Sequence, residues 1–310
     1  MAPVQGNGIT SVGFEAISLD GELESLKREL TRIADIGADA AEIGITSLDL
    51  VSGGRIIPER AERFVKLMRQ FPLRYTVHGM VASNFMDPVT QPMQLTVAKA
   101  LVQLCDMIGA KILVQHSGFL APNQIEARAG ATMRERESLA ELAEYARPHG
   151  VRIALENLYS TEPGQYRLTP SEVARQVQAV DHPNLVGLLD FSHAYIEATY
   201  RGLDLLAELR AMAPVTGHLH VHDSFGRPQG NFRGYYPQEL TAMGLGDLHL
   251  PLGWGDFPWD AVFAELTFRP DTVLIMEVGE RYAAELPNSL KRARGFAPAA
   301  LPRPKLAVTA

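Results

Sequence analysis

Cysteine is almost absent: Cys105 stands alone among 310 residues, so an internal disulfide is excluded and a reducing, cytoplasmic location is expected. Long apolar runs are missing as well. No stretch of about 18 apolar residues occurs anywhere, which excludes a membrane-spanning helix. Positive charge is in deficit, with 29 Lys and Arg against 36 Asp and Glu and a net charge of −7. A strongly basic nucleic-acid footprint is therefore lacking, and only a local patch could supply one. The opening Met-Ala-Pro-Val-Gln-Gly lacks the basic-then-apolar character of a secretory leader. What is present is ordinary globular material: 46% hydrophobic residues leave ample substance for a large core, and 21% charged residues argue against a disordered or fibrous chain.

Short apolar runs of strand type alternate with longer amphipathic stretches. The strands are expected at 9–14, 40–44, 73–78, 111–116, 152–156, 185–190, 217–222 and 272–277. Helices are expected near 22–36, 57–70, 92–108, 131–148, 169–179, 201–212, 258–266 and 282–295. Pro58-Glu59 and Thr169-Pro170-Ser171-Glu172 supply helix-start signals. Strands that alternate with helices run parallel, because each crossover needs a helix. Two architectures share this pattern, a closed (β/α)8 barrel and an open doubly wound sheet. The open sheet carries a Gly-x-Gly-x-x-Gly turn after its first strand, but here that strand leads into Phe14-Glu15-Ala16-Ile17-Ser18. A count of eight without the glycine turn favours a single α/β TIM barrel over residues 1–296. Residues 297–310 read as an Ala/Pro-rich C-terminal tail. One connection is long: residues 223–257 follow strand seven without a long helical pattern, and their aromatic content points to an ordered lid rather than a disordered loop.

Chemistry in such barrels sits where strands end. Six of the eight expected strands finish in a metal-competent or acid/base residue: His78, His116, Glu156, Asp190, His220 or His222, and Glu277. One such residue is ordinarily a satisfied buried polar group or a helix cap. Six converging ones carry a desolvation cost that a divalent cation removes. The strand period supports convergence, since Ala154 and Glu156, Leu188 and Asp190, and Ile275 and Glu277 each share a face. His218, His220 and His222 all face one way, and only depth can choose among them. His149 and His182 read as surface residues, and Lys111 and Arg152 as structural residues at the barrel bottom.

Glu156, Asp190 with His193 three residues on, Gly217-His218-Leu219-His220 and Glu277 together resemble the xylose isomerase-like TIM barrel superfamily, which holds sugar isomerases, ketose 3-epimerases, related dehydratases and endonuclease IV. The resemblance runs from His78 to Glu277. In the epimerase branch one Mn²⁺ or similar ion is held by Glu, Asp, His and Glu, which here implies Glu156, Asp190, His220 and Glu277 as ligands; Mg²⁺, Co²⁺ or Zn²⁺ could replace Mn²⁺. Glu156 and Glu277 lie on strands separated around the barrel and are expected to flank the substrate from opposite faces, as the acid/base pair of an isomerase or epimerase that works through a metal-stabilised enediolate. Substrate contacts are expected from His78, His116, Glu162, His193, Arg227, Asp247 and His249, with Trp254 stacking on a sugar face. The same residues leave two alternatives: a lyase or dehydratase acting on a sugar derivative, and an endonuclease of the endonuclease IV type. The latter adds His78, His116, His193, Asp247 and His249 as ligands of a trinuclear zinc cluster. The chain departs from that nuclease where Gly79-Met80-Val81-Ala82-Ser83 stand in place of bulky DNA wedges. The expected partner is a small sugar or sugar-like molecule, with neither nucleic acid nor membrane; a homo-oligomer is compatible with the sequence.

Overall fold

The computed structural model describes residues 6–297. Eight parallel strands close into one barrel: β1 (Ile9–Ala16), β2 (Ala40–Gly44), β3 (Arg74–His78), β4 (Ile112–His116), β5 (Arg152–Glu156), β6 (Leu185–Asp190), β7 (Thr216–Val221) and β8 (Thr272–Met276). Each pairs with its neighbours in sequence, and β1 pairs with β8 to close the ring. This is the expected (β/α)8 barrel. The tail, from residue 298 on, lies outside the described residues.

Parallel strands bury both faces, and the two faces carry different chemistry here. Outward residues such as Val12, Ile43, Val77, Leu113, Leu155 and Leu189 pack against the helices in the main core. Inward residues form a separate apolar plug of Ala40, Ile112, Val114, Ala154, Val186, Leu188, Val273 and Ile275, all 0% exposed. Polar side chains stand on top of this plug. At Gly13 on β1 any Cβ would run into the Ala40 carbonyl of β2, so glycine there allows the first two strands to close up.

The helices follow from local signals. In α1 (Leu23–Asp35), Leu26, Leu30 and Ile33 recur at helical spacing and are buried. Pro58 opens α2 (Pro58–Met68). α3 (Gln91–Ile108) and α4 (Arg128–Ala146) cover the next strands. The expected start signal of α5 (Pro170–Val180) forms a reciprocal cap: Glu172 N donates to Thr169 Oγ1 at 3.4 Å, and Thr169 N donates to Glu172 Oε2 at 3.0 Å.

Two helices depart from expectation. α6 (Phe191–Arg201) begins on the residue after β6, with the Asp190 carboxylate capping it by accepting from His193 N at 2.7 Å. No turn residues separate strand from helix, so the sequence offers no punctuation there. Gly202, at φ +66°, ends α6, and the helix expected from 201 starts only at α7 (Leu205–Met212). The long connection after β7 was expected to lack a long helical pattern, and it carries the seven-residue α8 (Pro237–Met243) before α9 (Trp259–Glu265). It is anchored at its root, where Asp223 and Leu250 exchange backbone hydrogen bonds of 2.9 and 3.1 Å and Asp223 Oδ2 accepts from Gly253 N at 2.7 Å. The chain then closes with α10 (Leu286–Phe296).

Candidate metal centre and mouth cavity

The last inward residue of most strands rises above the apolar plug to the mouth of the barrel. Glu156 ends β5 and is the hub. His116 Nε2 lies 3.2 Å from its Oε2, His193 Nδ1 3.2 Å from its Oε1, His220 Nδ1 3.5 Å from Oε1 and His78 Nε2 3.8 Å from Oε2. Glu277, just beyond β8, brings Oε1 to 3.2 Å from the same His220 Nδ1. Asp190 Oδ1 lies 3.7 Å from His193 Nδ1. From the long connection, Asp247 Oδ2 reaches His193 Nε2 at 3.2 Å and His249 Nε2 at 3.0 Å. Nine of the sequence-derived positions thus meet at one place.

Three do not. The Glu162 side chain is exposed and forms no side-chain hydrogen bond. Arg227 donates to the Met243 carbonyl at 3.1 Å and lies over the Phe225 ring, away from the mouth. Trp254 is 49% exposed and packs edge-on against Tyr282 at 5.2 Å. In each case a local partner or solvent holds the side chain that the sequence was expected to send inward.

Depth separates His218 and His220 of β7 from His222 just beyond its end. His218 is lowest, and its Nε2 meets Glu42 Oε2 at 2.7 Å. His220 sits one layer higher, with Nε2 at 2.7 Å from Glu42 Oε1 and Nδ1 free to face Glu156 and Glu277. His222 is at the top, where Nε2 lies 3.2 Å from Asp190 Oδ2 and its ring stacks on His249 at 4.1 Å. Glu42, which sequence reading missed, therefore clamps two imidazoles from below while also accepting from Thr76 Oγ1 at 2.7 Å. Burial opposes its ionisation, but the facing His220 and His218 outweigh this and hold its carboxyl well below the usual range.

The same balance runs through the upper layer. Burial works against charge on Glu156, yet His116 and His220 keep it ionised. Burial also works against protonation of His193 and His220, yet Asp190 and Asp247 beside the first, and Glu277 and Glu42 beside the second, hold both imidazoles protonated. Positive charge is what this cage of carboxylates demands. Two buried atoms at its centre, Glu156 Oε2 and His220 Nδ1, form no well-shaped hydrogen bond. Candidate ligand groups converge on the same place, among them Glu156 with Asp190 and His220, and His78 with His116 and Glu156. The donor set fits a divalent cation that would displace these protons.

Above the centre lies a cavity of about 340 Å³. Its walls add Ile17, Val81, Leu158, Tyr159, Thr161, Arg167 and Glu15 to the metal-competent residues. Burial, and then the neighbouring Glu42, push the Glu15 carboxyl up to about 7. Glu15 and Arg167 were not anticipated. Glu15 could have been, because it shares the inward face of β1 with Gly13 and pairs across with Glu42.

The profile of the xylose isomerase-like TIM barrel family matches residues 30–297, and the chain belongs to that family. It is similar to the uncharacterized protein MJ1311 of Methanocaldococcus jannaschii, 24% identical over 233 residues that span 73% of this chain and 72% of that one. Among solved structures it resembles a D-tagatose 3-epimerase-like protein (TM-score 0.69, 19% identity, covering 92% of this chain and 96% of that one). It also resembles the IolI protein with a bound zinc atom (TM-score 0.64, 19% identity, 93% and 96% covered). At these identities the structural likenesses speak for the fold.

Proposed function

We propose that the chain is a divalent-metal-dependent sugar isomerase or epimerase acting by proton transfer. The observation that carries this reading is the convergence of Glu156, Asp190, His220 and Glu277 beneath a cavity of about 340 Å³, the size class of small-molecule sites rather than of a polymer groove. Three carboxylates and one imidazole are hard ligands that suit Mn²⁺ or Mg²⁺, while the surrounding histidines widen the choice to Co²⁺ or Zn²⁺. When bound, such an ion supplies Lewis-acid polarisation of a substrate carbonyl, which acidifies the neighbouring C–H. The protein's own part is to move the proton. Glu156 and Glu277 enter the cavity from separate strands, so one takes the proton from one face and the other returns it to the opposite face of the enediolate. His78, His116, His193, Asp247 and His249 line the same space and would orient hydroxyl groups. Leu158, Ile17 and Val81 keep part of the wall apolar. The likeness to a D-tagatose 3-epimerase-like protein supports a ketose-type substrate.

Elimination on a sugar derivative would use the same proton abstraction. A hydrolytic reading, in the manner of endonuclease IV, gains support from one specific observation: His193, Asp247 and His249 form a further connected group beside His78, His116 and Glu156. Against it, the loop after β3 offers Val81, 68% exposed, and no large wedge side chain.

The test is solvent-deuterium wash-in at the carbon beside the carbonyl, across a panel of ketoses with added Mn²⁺. Deuterium should appear in substrate and product, and Glu277→Gln should lower turnover by roughly 10²-fold or more. Product formed without deuterium, at an unchanged rate in the variant, would refute the proton-transfer reading.

A further inference from the structure

One guanidinium lining the mouth cavity has no carboxylate in ion-pair contact among the described residues. Arg167 belongs to a short antiparallel pair, Phe119–Leu120 with Tyr166–Arg167, which ties the loop after β4 to the loop after β5. Its guanidinium lies 4.4 Å over the Phe119 ring, and its one side-chain hydrogen bond runs from Nε to Gln165 Oε1 at 3.4 Å. Among the described residues no carboxylate comes within ion-pair distance of it. The acids that act on it from further off are engaged elsewhere: Glu197 accepts from Ser160 N at 2.8 Å and pairs with Arg201 at 3.6 Å, and Glu135 accepts from Gly118 N at 2.5 Å and Gln176 Nε2 at 3.1 Å. A half-buried guanidinium with open donors, held over a ring and facing a cavity, is incomplete until an anion arrives.

Glu15 reaches the cavity from β1, and the ring order sets β1 four strands away from β5 in either direction. Glu15 has neither a hydrogen bond nor an ion pair among the described residues. An anionic group entering the cavity meets a forked donor on the Arg167 side, where the hydroxyl-bearing Tyr159 and Thr161 also line the wall.

We infer that Arg167 forms an oxyanion subsite, so that the substrate is a polyhydroxy compound carrying a carboxylate or phosphate at the end remote from Glu15. This rests on the cavity being the substrate site, as proposed above, but not on the proton-transfer chemistry. Arginine suits both anions because its planar fork donates two parallel hydrogen bonds to either.

The experiment titrates inorganic phosphate and, separately, acetate into metal-loaded wild type, Arg167→Gln and Arg167→Lys, with binding read by calorimetry. At least one anion should bind wild type saturably and weaken about tenfold or more in Arg167→Gln. Arg167→Lys, which keeps the charge but loses the fork, should recover part of that affinity and so exclude a folding defect. Preference for phosphate assigns a phosphorylated substrate, and preference for acetate assigns a sugar acid. Lack of saturable binding by either anion, or equal binding in Arg167→Gln, overturns the subsite. Deuterium wash-in separates the two proposals. Exchange on neutral sugars at wild-type rate in Arg167→Gln would sink the subsite and leave the isomerase reading intact. Arg167-dependent anion binding without exchange on any sugar would do the reverse.

Discussion

Glu135 gives a sharp quantitative handle on how the mouth is held. It sits on α4, 0% exposed, and accepts hydrogen bonds from Gly118 N at 2.5 Å and Gln176 Nε2 at 3.1 Å, with no cation in ion-pair contact among the described residues. Arg136, next along the helix, is occupied by Gln176 Oε1 at 3.0 Å. Gly118 lies two residues past His116, so Glu135 anchors the loop that follows this candidate ligand. Burial pushes its carboxyl from the ordinary 4.5 up to about 7, despite the Gly118 amide. Each tenfold change in acidity is worth about 1.4 kcal/mol, so forcing this group to ionise in the fold costs about 3 kcal/mol. The sign follows from proton uptake. Between pH 4.5 and 7 the folded chain holds a proton that the unfolded chain has released, so the contribution is complete below 4.5 and is lost as pH rises through 7. Other buried groups titrate in the same range, and the informative quantity is therefore the difference between wild type and Glu135→Gln. Urea unfolding of the metal-loaded protein should find the two nearly equal at pH 5. At pH 8.5 the glutamine variant should be more stable by up to about 3 kcal/mol, or several degrees in Tm. A difference that stays flat between these pH values would refute the reasoning.

Three further outcomes follow from the mouth. Asp190→Ala should abolish metal retention and activity together by elemental analysis; Asp190→Asn, which preserves the helix cap on His193 N, should lose metal without the roughly 1 kcal/mol cost of an uncapped helix. Asp247→Asn combined with His249→Ala should weaken substrate binding while one tightly held ion per chain remains, whereas a fall from about three ions to two would mark a trinuclear site and favour phosphate-ester hydrolysis. Duplex DNA with an abasic site should survive incubation with the metal-loaded protein on a denaturing gel, since Val81 cannot act as a wedge; metal-dependent nicking at ordinary enzymatic rates would overturn the sugar reading.

The barrel was legible because its strands are short apolar runs, each closed by a polar residue: β5 reads Arg-Ile-Ala-Leu-Glu and β6 Leu-Val-Gly-Leu-Leu-Asp. Alternation then fixes which residues face inward, and Glu156 and Asp190 fall on that face. What punctuation marks was read well, as at Thr169. What lacks it was not: Asp190 ends a strand and caps a helix at once, which leaves no turn to signal α6. The residues misplaced in the long connection, Arg227 and Trp254, share one cause. A loop has no period to say which way a side chain points, so composition was standing in for geometry.

The omissions at the site have a different origin, and they show what a strand-end reading leaves out. Searching only the last residue of each strand finds the upper polar layer and stops there. In a barrel the inward face repeats every second residue, so the position two before a strand's end lies one layer deeper. Glu42 stands two before the end of β2, and His218 and His220 step down β7 in the same way. These residues form a hydrogen-bonded floor in which one carboxylate fixes the Nε2 of both rings and so turns His220 Nδ1 toward Glu156 and Glu277. A ligand's ring orientation is set by the bond its other nitrogen makes. The orientation of the His220 ring thus depends on a glutamate 178 residues away in the chain. Neither the spacing within β7 nor any motif around it contains that information; the closure of the barrel supplies it, by bringing β2 across from β7.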